Sequence, residues 1–232
     1  MNVIETAALL ARRVDTKESD LVVTLLTEAE GKVAAIVRGA KRSTKRFGGA
    51  LEPLHTIHVV LEDSGRDLAF LKEASLRTIR TGILGRLDAL DAAGVALRWA
   101  RQLFPARTRE PDAFRTVENL LDVLERGDTK PKHALAAAAL RLLSDVGYGL
   151  DLERCVRCGR PCPEDRPACI DAATGGLVCT ACGGSRTVLS PELRRVARAF
   201  VGGESVPVDD EGAATLLRIA EAAMAVHAEV AS

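Results

Sequence analysis

Up to about residue 80, apolar residues come in short runs broken by turn signals, with no helical repeat. The runs IETAALLARRV (4–14), SDLVVTLLTE (19–28), KVAAIVRG (32–39), LEPLHTIHVVLED (51–63) and DLAFLKEASL (67–76) predict five strands. Ala29-Glu30-Gly31 and Ser64-Gly65 supply tight turns between neighbouring strands. Antiparallel strands in so small a sheet leave open edges unless the sheet closes on itself. The five-stranded Greek-key barrel known as the OB-fold is one closed solution, and such barrels commonly bind oligonucleotides. An SH3-like barrel or a simple sandwich has a similar strand count.

Beyond residue 80 the period lengthens. ILGRLDALDAAGVALRWARQLF (83–104) is rich in Ala and Leu and lacks proline. PDAFRTVENLLDVLERG (111–127) opens with proline in its first turn, ends at glycine, and places Phe114, Val117, Leu120, Leu121 and Leu124 on one stripe. PKHALAAAALRLLSDVG (131–147) is punctuated in the same way. After a cysteine-bearing segment, SPELRRVARAFVGG (190–203) starts with a Ser cap followed by proline, and DDEGAATLLRIAEAAMAVHAEV (209–230) closes the chain. The three central helices are expected to pack antiparallel, with the last two docked on them and Trp99 in the core. The fold class read from these patterns is α+β. An OB-fold barrel (1–80) precedes an α-helical domain (81–150 and 188–232), in which a cysteine module (151–187) is embedded.

Composition changes this picture little. The chain of 232 residues is 47% hydrophobic and 28% charged, with 32 basic and 32 acidic side chains. Global charge therefore points to no partner, and polyanion binding must come from local clustering. No apolar window reaches the length of a membrane span, since ALAAAALRLL is short and contains Arg141. The N-terminus has no cationic segment leading into a long apolar run. A cytosolic protein without signal peptide or membrane span is expected.

The most specific local signal is Cys155-Val-Arg-Cys158 followed by Cys179-Thr-Ala-Cys182. Each CxxC directs two thiolates at one ion, and two such knuckles complete a tetrahedron that suits a structural Zn²⁺. A site with four thiolates has no open position, which argues against catalysis by the metal. Glycines follow both pairs, and they let each knuckle turn its amides toward sulfur. Cys162 and Cys169 lie in the spacer without a CxxC partner and read as free thiols, although Cys162 in CGRPC could replace a neighbouring ligand.

GAKRSTKRFGGAL (39–51) gathers Lys41, Arg42, Lys45 and Arg46 just after Arg38, with no acid among them. Between two strands of a barrel such a segment projects from the rim. It is either a solvated loop or a cationic arm that neutralises phosphates. It lacks the GxxxxGK[ST] spacing and is not placed between strand and helix, so it is not a nucleotide-binding loop. Phe47, beside Arg46, either stacks on a base or is buried under the loop, and burial is the expected role. Arg98, Arg101, Arg194, Arg195 and Arg198 are weaker candidates for DNA contact. His55 and His58 are expected on one strand facing opposite sides, so they share no metal. There is no HExxH, GxSxG or paired-carboxylate motif, and no enzyme signature is found.

These residues carry a resemblance. Arg38-Gly39-Ala40-Lys41-Arg42 followed by Leu51-Glu52-Pro53 resembles the N-terminal domain of the RecO family of bacterial recombination mediators. GYGLDLERCVRCGR (147–160) resembles that family's entry into its cysteine module, and the order of barrel, helices and module matches end to end. The family's cysteines are not universal, so zinc rests on this chain's own spacing. The resemblance implies a DNA repair and recombination mediator rather than an enzyme. Such a protein binds single- and double-stranded DNA, anneals complementary strands, and acts with RecR. Together they help RecA onto strands coated by single-stranded-DNA-binding protein, in the bacterial cytoplasm at the nucleoid. A protein-interaction scaffold and an RNA-binding OB module are the competing readings. With only Phe47 and Phe70 as aromatics in the barrel region, backbone neutralisation is expected to outweigh base stacking.

Overall fold

A computed structural model describes residues 2–16, 19–40, 44–47, 49–65 and 67–228. The five expected strands form: β1 (Asn2–Asp15), β2 (Leu21–Thr27), β3 (Gly31–Val37), β4 (Thr56–Asp63) and β5 (Ala69–Thr78). They close into a barrel in the order β1-β2-β3-β5-β4, with β1 returning to pair with β4. This is the OB-fold arrangement, and it leaves neither edge unpaired. β3 and β5 join in parallel, and the other neighbours are antiparallel. Alternation sets the two faces. Along β3, Val33, Ala35 and Val37 are buried while Ala34 and Ile36 are only half-buried. Inward residues of all five strands, among them Leu10, Val23, Leu25, Ile57, Val59, Leu61 and Leu71, make one core.

The strand expected to begin at Leu51 begins at Thr56 instead, and Leu51-Glu52-Pro53 forms a turn. Leu51 nonetheless packs into the barrel core together with Phe47 and Ala50. The β3–β4 connection thus plugs one end of the barrel. Within it lies a short helix, α1 (Thr44–Phe47), where the sequence predicts only loop.

The remaining helices are α2 (Leu87–Leu103), α3 (Pro111–Arg126), α4 (Pro131–Asp145), α5 (Pro191–Gly202) and α6 (Asp210–Ala228). Their expected punctuation is present. Pro111 opens α3, and Gly127 ends it in the left-handed region at φ 70° with its N–H donating to the Val123 carbonyl. Ser190 Oγ accepts from Leu193 N at 3.1 Å at the start of α5. The predicted α3 stripe is buried as expected, and so is Trp99.

The change of pattern near residue 80 does not coincide with the division into compact units, which are Met1–Gly127 and Asp128–Ser232. α2 and α3 fall with the barrel in the first unit, and α4 falls with α5 and α6 in the second. The reason lies in polar contacts that periodicity does not reveal. Arg80, 1% exposed, sits at the exit of β5. Its Nε donates to Asp122 of α3 at 2.7 Å, and its Nη1 donates to the Leu54 carbonyl and to Thr56 Oγ1 at 3.0 Å. Thr56 Oγ1 in turn donates to Glu118 at 2.8 Å. Glu125 accepts the backbone N–H groups of Thr81, Gly82 and Ile83, which together hold its carboxyl below the usual range against the opposing effect of burial. After α2, the chain lies against the start of β3. There Lys32 N donates to the Pro105 carbonyl, and a Cβ on Gly31 would stand 1.8 Å from the Thr108 carbonyl oxygen. Only glycine fits that approach.

In the second unit α4 packs against α6 and α5. The module between α4 and α5 is a small sheet of β6 (Asp151–Cys155), β7 (Ala168–Asp171), β8 (Gly176–Leu177) and β9 (Thr187–Leu189) in the order β6-β8-β7-β9.

If Arg80 joins barrel to α3 in this way, Arg80→Ala should destabilise the chain by about 3 kcal/mol, because the buried Leu54 carbonyl and Thr56 hydroxyl lose their donor, Asp122 loses its ion-pair partner and the side chain leaves a cavity. Urea unfolding of wild type and variant checks this, and an unchanged midpoint contradicts it.

Candidate nucleic-acid interface and metal centre

Four hydrogen bonds hold the basic segment, three of them to residues on or beside β1 and β2 and one within the segment itself. Asp20 Oδ1 accepts from Gly39 N at 2.8 Å where the segment begins. Arg46 Nη2 donates to the Arg38 carbonyl at 2.8 Å and folds the segment back on itself. Arg13 Nη1 donates to the Leu51 carbonyl at 3.1 Å and to Glu52 at 2.7 Å where it ends. Arg38 and Arg46 are exposed, and each guanidinium carbon lies 4.9 Å from an aromatic centroid, Arg38 over Phe70 and Arg46 over Phe47. Phe47 is buried in the barrel core, as expected, and offers no face for a base. Lys45 lies within α1, while Lys41 and Arg42 fall outside the described residues.

The weaker candidates separate by what they touch. Arg194 was expected on an exposed basic face, but it is 2% exposed. Its Nε donates to the Leu152 carbonyl at 2.6 Å, and its Nη1 and Nη2 donate to the carbonyls of Pro163 and Cys162 at 2.7 and 2.9 Å. An arginine enclosed by module carbonyls presents no charge to a polyanion. Arg198, one turn along α5, pairs with Glu153 at 2.8 Å and with Glu164. Arg195 is exposed and makes a 3.3 Å pair with Glu192. On α2, Arg98 is exposed and Arg101 half-buried. The Arg101 carbonyl accepts from Lys32 Nζ at 2.9 Å. Burial first, and the Arg101 charge second, hold the Lys32 ammonium below the usual lysine range. His58 is exposed on β4, whereas His55 precedes the strand and accepts from Arg80 N through Nδ1 at 3.1 Å. His55 therefore serves the Arg80 junction, a role that strand alternation does not suggest.

The four CxxC cysteines converge. The Sγ atoms of Cys155, Cys158, Cys179 and Cys182 all lie within 4.8 Å of one another, and Cys158 and Cys179 are 3.8 Å apart. Four sulfurs at about 2.3 Å from one central ion make a tetrahedron with edges of about 3.8 Å, so the group could hold one metal ion such as zinc. The knuckles are formed by the backbone. Gly159, at φ 70°, donates to the Cys155 carbonyl at 2.8 Å. Thr180–Cys182 makes a single 3₁₀ turn ended by Gly183 at φ 102°. Cys179 N–H points at Cys155 Sγ, 3.3 Å away. That bond above all, with the amides of Arg157 and Cys158, lowers the Cys155 thiol to about 6. Cys182 is pushed up to about 12, chiefly by hydrogen bonds with Cys179 and Cys158, which favour its protonated form. Four adjacent sulfurs cannot all ionise unless a cation sits among them. Cys162 and Cys169 are not in the group, and burial pushes the Cys162 thiol up.

Binding converts thiols to thiolates and releases protons, so metal affinity must fall as pH falls. Acidification from pH 7.5 to 5 should therefore release the metal to a chromogenic chelator. Cys158→Ser should lower the metal content of the purified protein below one per chain, whereas Cys162→Ser should leave it unchanged. Retention of full metal content by Cys158→Ser contradicts the assignment.

Comparison with known proteins agrees with this architecture. The family model for the recombination protein O N-terminal domain matches residues 1–80, and that for its C-terminal domain matches residues 84–231. The chain is 35% identical to the DNA repair protein RecO of Anaeromyxobacter dehalogenans strain 2CP-C over 99% of this chain and 91% of that one. It is 39% identical to the DNA repair protein RecO of Anaeromyxobacter sp. strain K, over 78% of this chain and 71% of the relative. It is 34% identical to that of Geobacter sulfurreducens, over 87% and 82%. With a closed OB barrel, helices and a four-cysteine cluster in the order that the two family models cover end to end, the chain belongs to the RecO family of DNA repair proteins, which implies recombination mediation in DNA repair.

Proposed function

We propose that the chain binds single- and double-stranded DNA through the basic β3–β4 segment and anneals complementary strands. In this reading it also works with RecR to bring RecA onto single strands coated by single-stranded-DNA-binding protein, in the cytoplasm at the nucleoid. The observation that carries the proposal is the basic segment itself, stapled across the end of a closed OB barrel with Arg38 and Arg46 exposed. Arg38, Lys41, Arg42, Lys45 and Arg46 neutralise phosphates, with Arg98 and Arg101 as auxiliary contacts. Annealing asks for screening of strand–strand repulsion while the bases stay free to pair. Burial of Phe47 suits that division, because it takes one aromatic of the segment out of reach of bases. No bond is made or broken in this function, and the protein is not an enzyme.

The metal in this reading is one structural Zn²⁺ held by Cys155, Cys158, Cys179 and Cys182. It folds a module that has few core residues of its own, a contribution on the order of 10 kcal/mol. Arg194 then fixes that module to α5 through its carbonyls.

Fluorescence anisotropy with a labelled oligonucleotide across a salt series tests the proposal. Five cations on a single strand predict a slope of about −3.5 in log affinity against log salt, from about −0.7 per contact. Lys41→Glu/Arg42→Glu should bring the slope to about −2. Weak binding that ignores salt and survives the double substitution would instead favour a scaffold whose basic segment meets an acidic partner. Tighter binding to RNA than to DNA of the same sequence would favour an RNA module.

A further inference from the structure

The outward face of a closed barrel meets solvent, so polar residues are the default there. β2, β3 and β5 depart from that default in one row. Val22 pairs with Ile36 across the β2–β3 ladder, and Ile36 pairs in parallel with Phe70 of β5. All three are half-buried, while their strand neighbours Leu21, Val23, Ala35, Val37, Ala69 and Leu71 are buried inside. The row thus lies on the outer surface. Arg38, the first residue after β3, has its guanidinium carbon 4.9 Å from the Phe70 centroid. The next outward residue on β5 is Lys72, which pairs with Glu62 at 2.8 Å.

Phe70 differs from the other phenylalanines. Phe47, Phe104, Phe114 and Phe200 are all buried. Phe70 alone among them is only half-buried, and its ring lies under the exposed Arg38 guanidinium just after the β4–β5 loop. The strand face of an OB barrel is where oligonucleotides lie, and an aromatic face there takes a base by stacking.

Building on the DNA-binding proposal above, we propose that Phe70 is a stacking platform for one unpaired base, with Arg38 as its movable cover. The base takes the place of the guanidinium on the ring, and Arg38 turns to the adjoining phosphate. The contact needs an unstacked base, so it favours single strands over duplex. It holds one base only, so neighbouring bases remain available to a complementary strand. Leu, which matches the apolar row but has no ring face, separates this role from simple covering of the barrel.

The test compares wild type, Phe70→Leu and Phe70→Tyr by anisotropy, using a labelled single strand and its duplex at several salt concentrations. Phe70→Leu should bind the single strand about tenfold more weakly at every salt concentration, a parallel displacement with the slope unchanged, since stacking releases no counterions. The ratio of single-strand to duplex affinity should fall by the same factor, and Phe70→Tyr should stay within about twofold of wild type. A second measurement uses wild type alone: an oligonucleotide carrying 2-aminopurine should lose emission on binding as the base stacks. Equal losses for single strand and duplex, no loss in Phe70→Leu, or unquenched 2-aminopurine overturns the inference. If wild type binds with the expected salt slope while Phe70→Leu matches it, this inference alone fails. If wild type binds neither form, the DNA-binding proposal falls with it.

Discussion

Closure of the N-terminal sheet is the constraint on which the rest of the first unit depends. β1 runs for 14 residues, long enough to pair with β2 at one end and with β4 at the other. Eight of its residues, Asn2 to Leu9, meet β4. Were this ladder to open, β1 and β4 would present unpaired edges and the interior alternation would lose its enclosure. Closure also fixes the barrel's end, where the β3–β4 connection inserts Phe47, Ala50 and Leu51. Arg46, next to Phe47 in the sequence, is consequently mounted on that plug.

A second theme is how the chain distributes its arginines. Total charge is zero, yet individual guanidinium groups do very different work. Arg80 and Arg194 are almost wholly enclosed and bond to backbone carbonyls where the chain is irregular. Arg80 holds the turn before β4 and the helix α3, and Arg194 holds the cysteine module to α5. The planar fork of arginine suits such junctions, because it serves several carbonyls at once. Arg38 and Arg46 are the contrasting case, exposed and laid over aromatic rings. Position in the fold, not residue type, separates structural from presented charge.

That distinction explains what could be read from the sequence. Strand alternation, the Pro and Gly bounds of α3 and the Ser190 cap are local signals, and each is found where expected. The four-cysteine cluster was legible because its members come in two short CxxC motifs, whose spacing suits one metal ion. Long-range polar contacts were not legible. Nothing near Arg194 in sequence signals that Leu152, Cys162 and Pro163 will turn their carbonyls toward it. Nor does the stripe of α3 reveal that its polar residues Glu118, Asp122 and Glu125 bind the barrel exit and draw α2 and α3 into the first unit. The apolar row Val22–Ile36–Phe70 depends on strand register, which a list of strands does not supply.

The proposal holds that the cations of the β3–β4 segment offset polyanion repulsion while leaving most bases free. The most direct test is the rate at which two complementary oligonucleotides anneal with wild type and with a chain whose arm charges are reversed, at low and at high salt. The account predicts fast annealing by wild type at low salt, lost in the charge-reversed chain and lost by wild type as salt screens the strands. Annealing that proceeds equally well without those charges would contradict it.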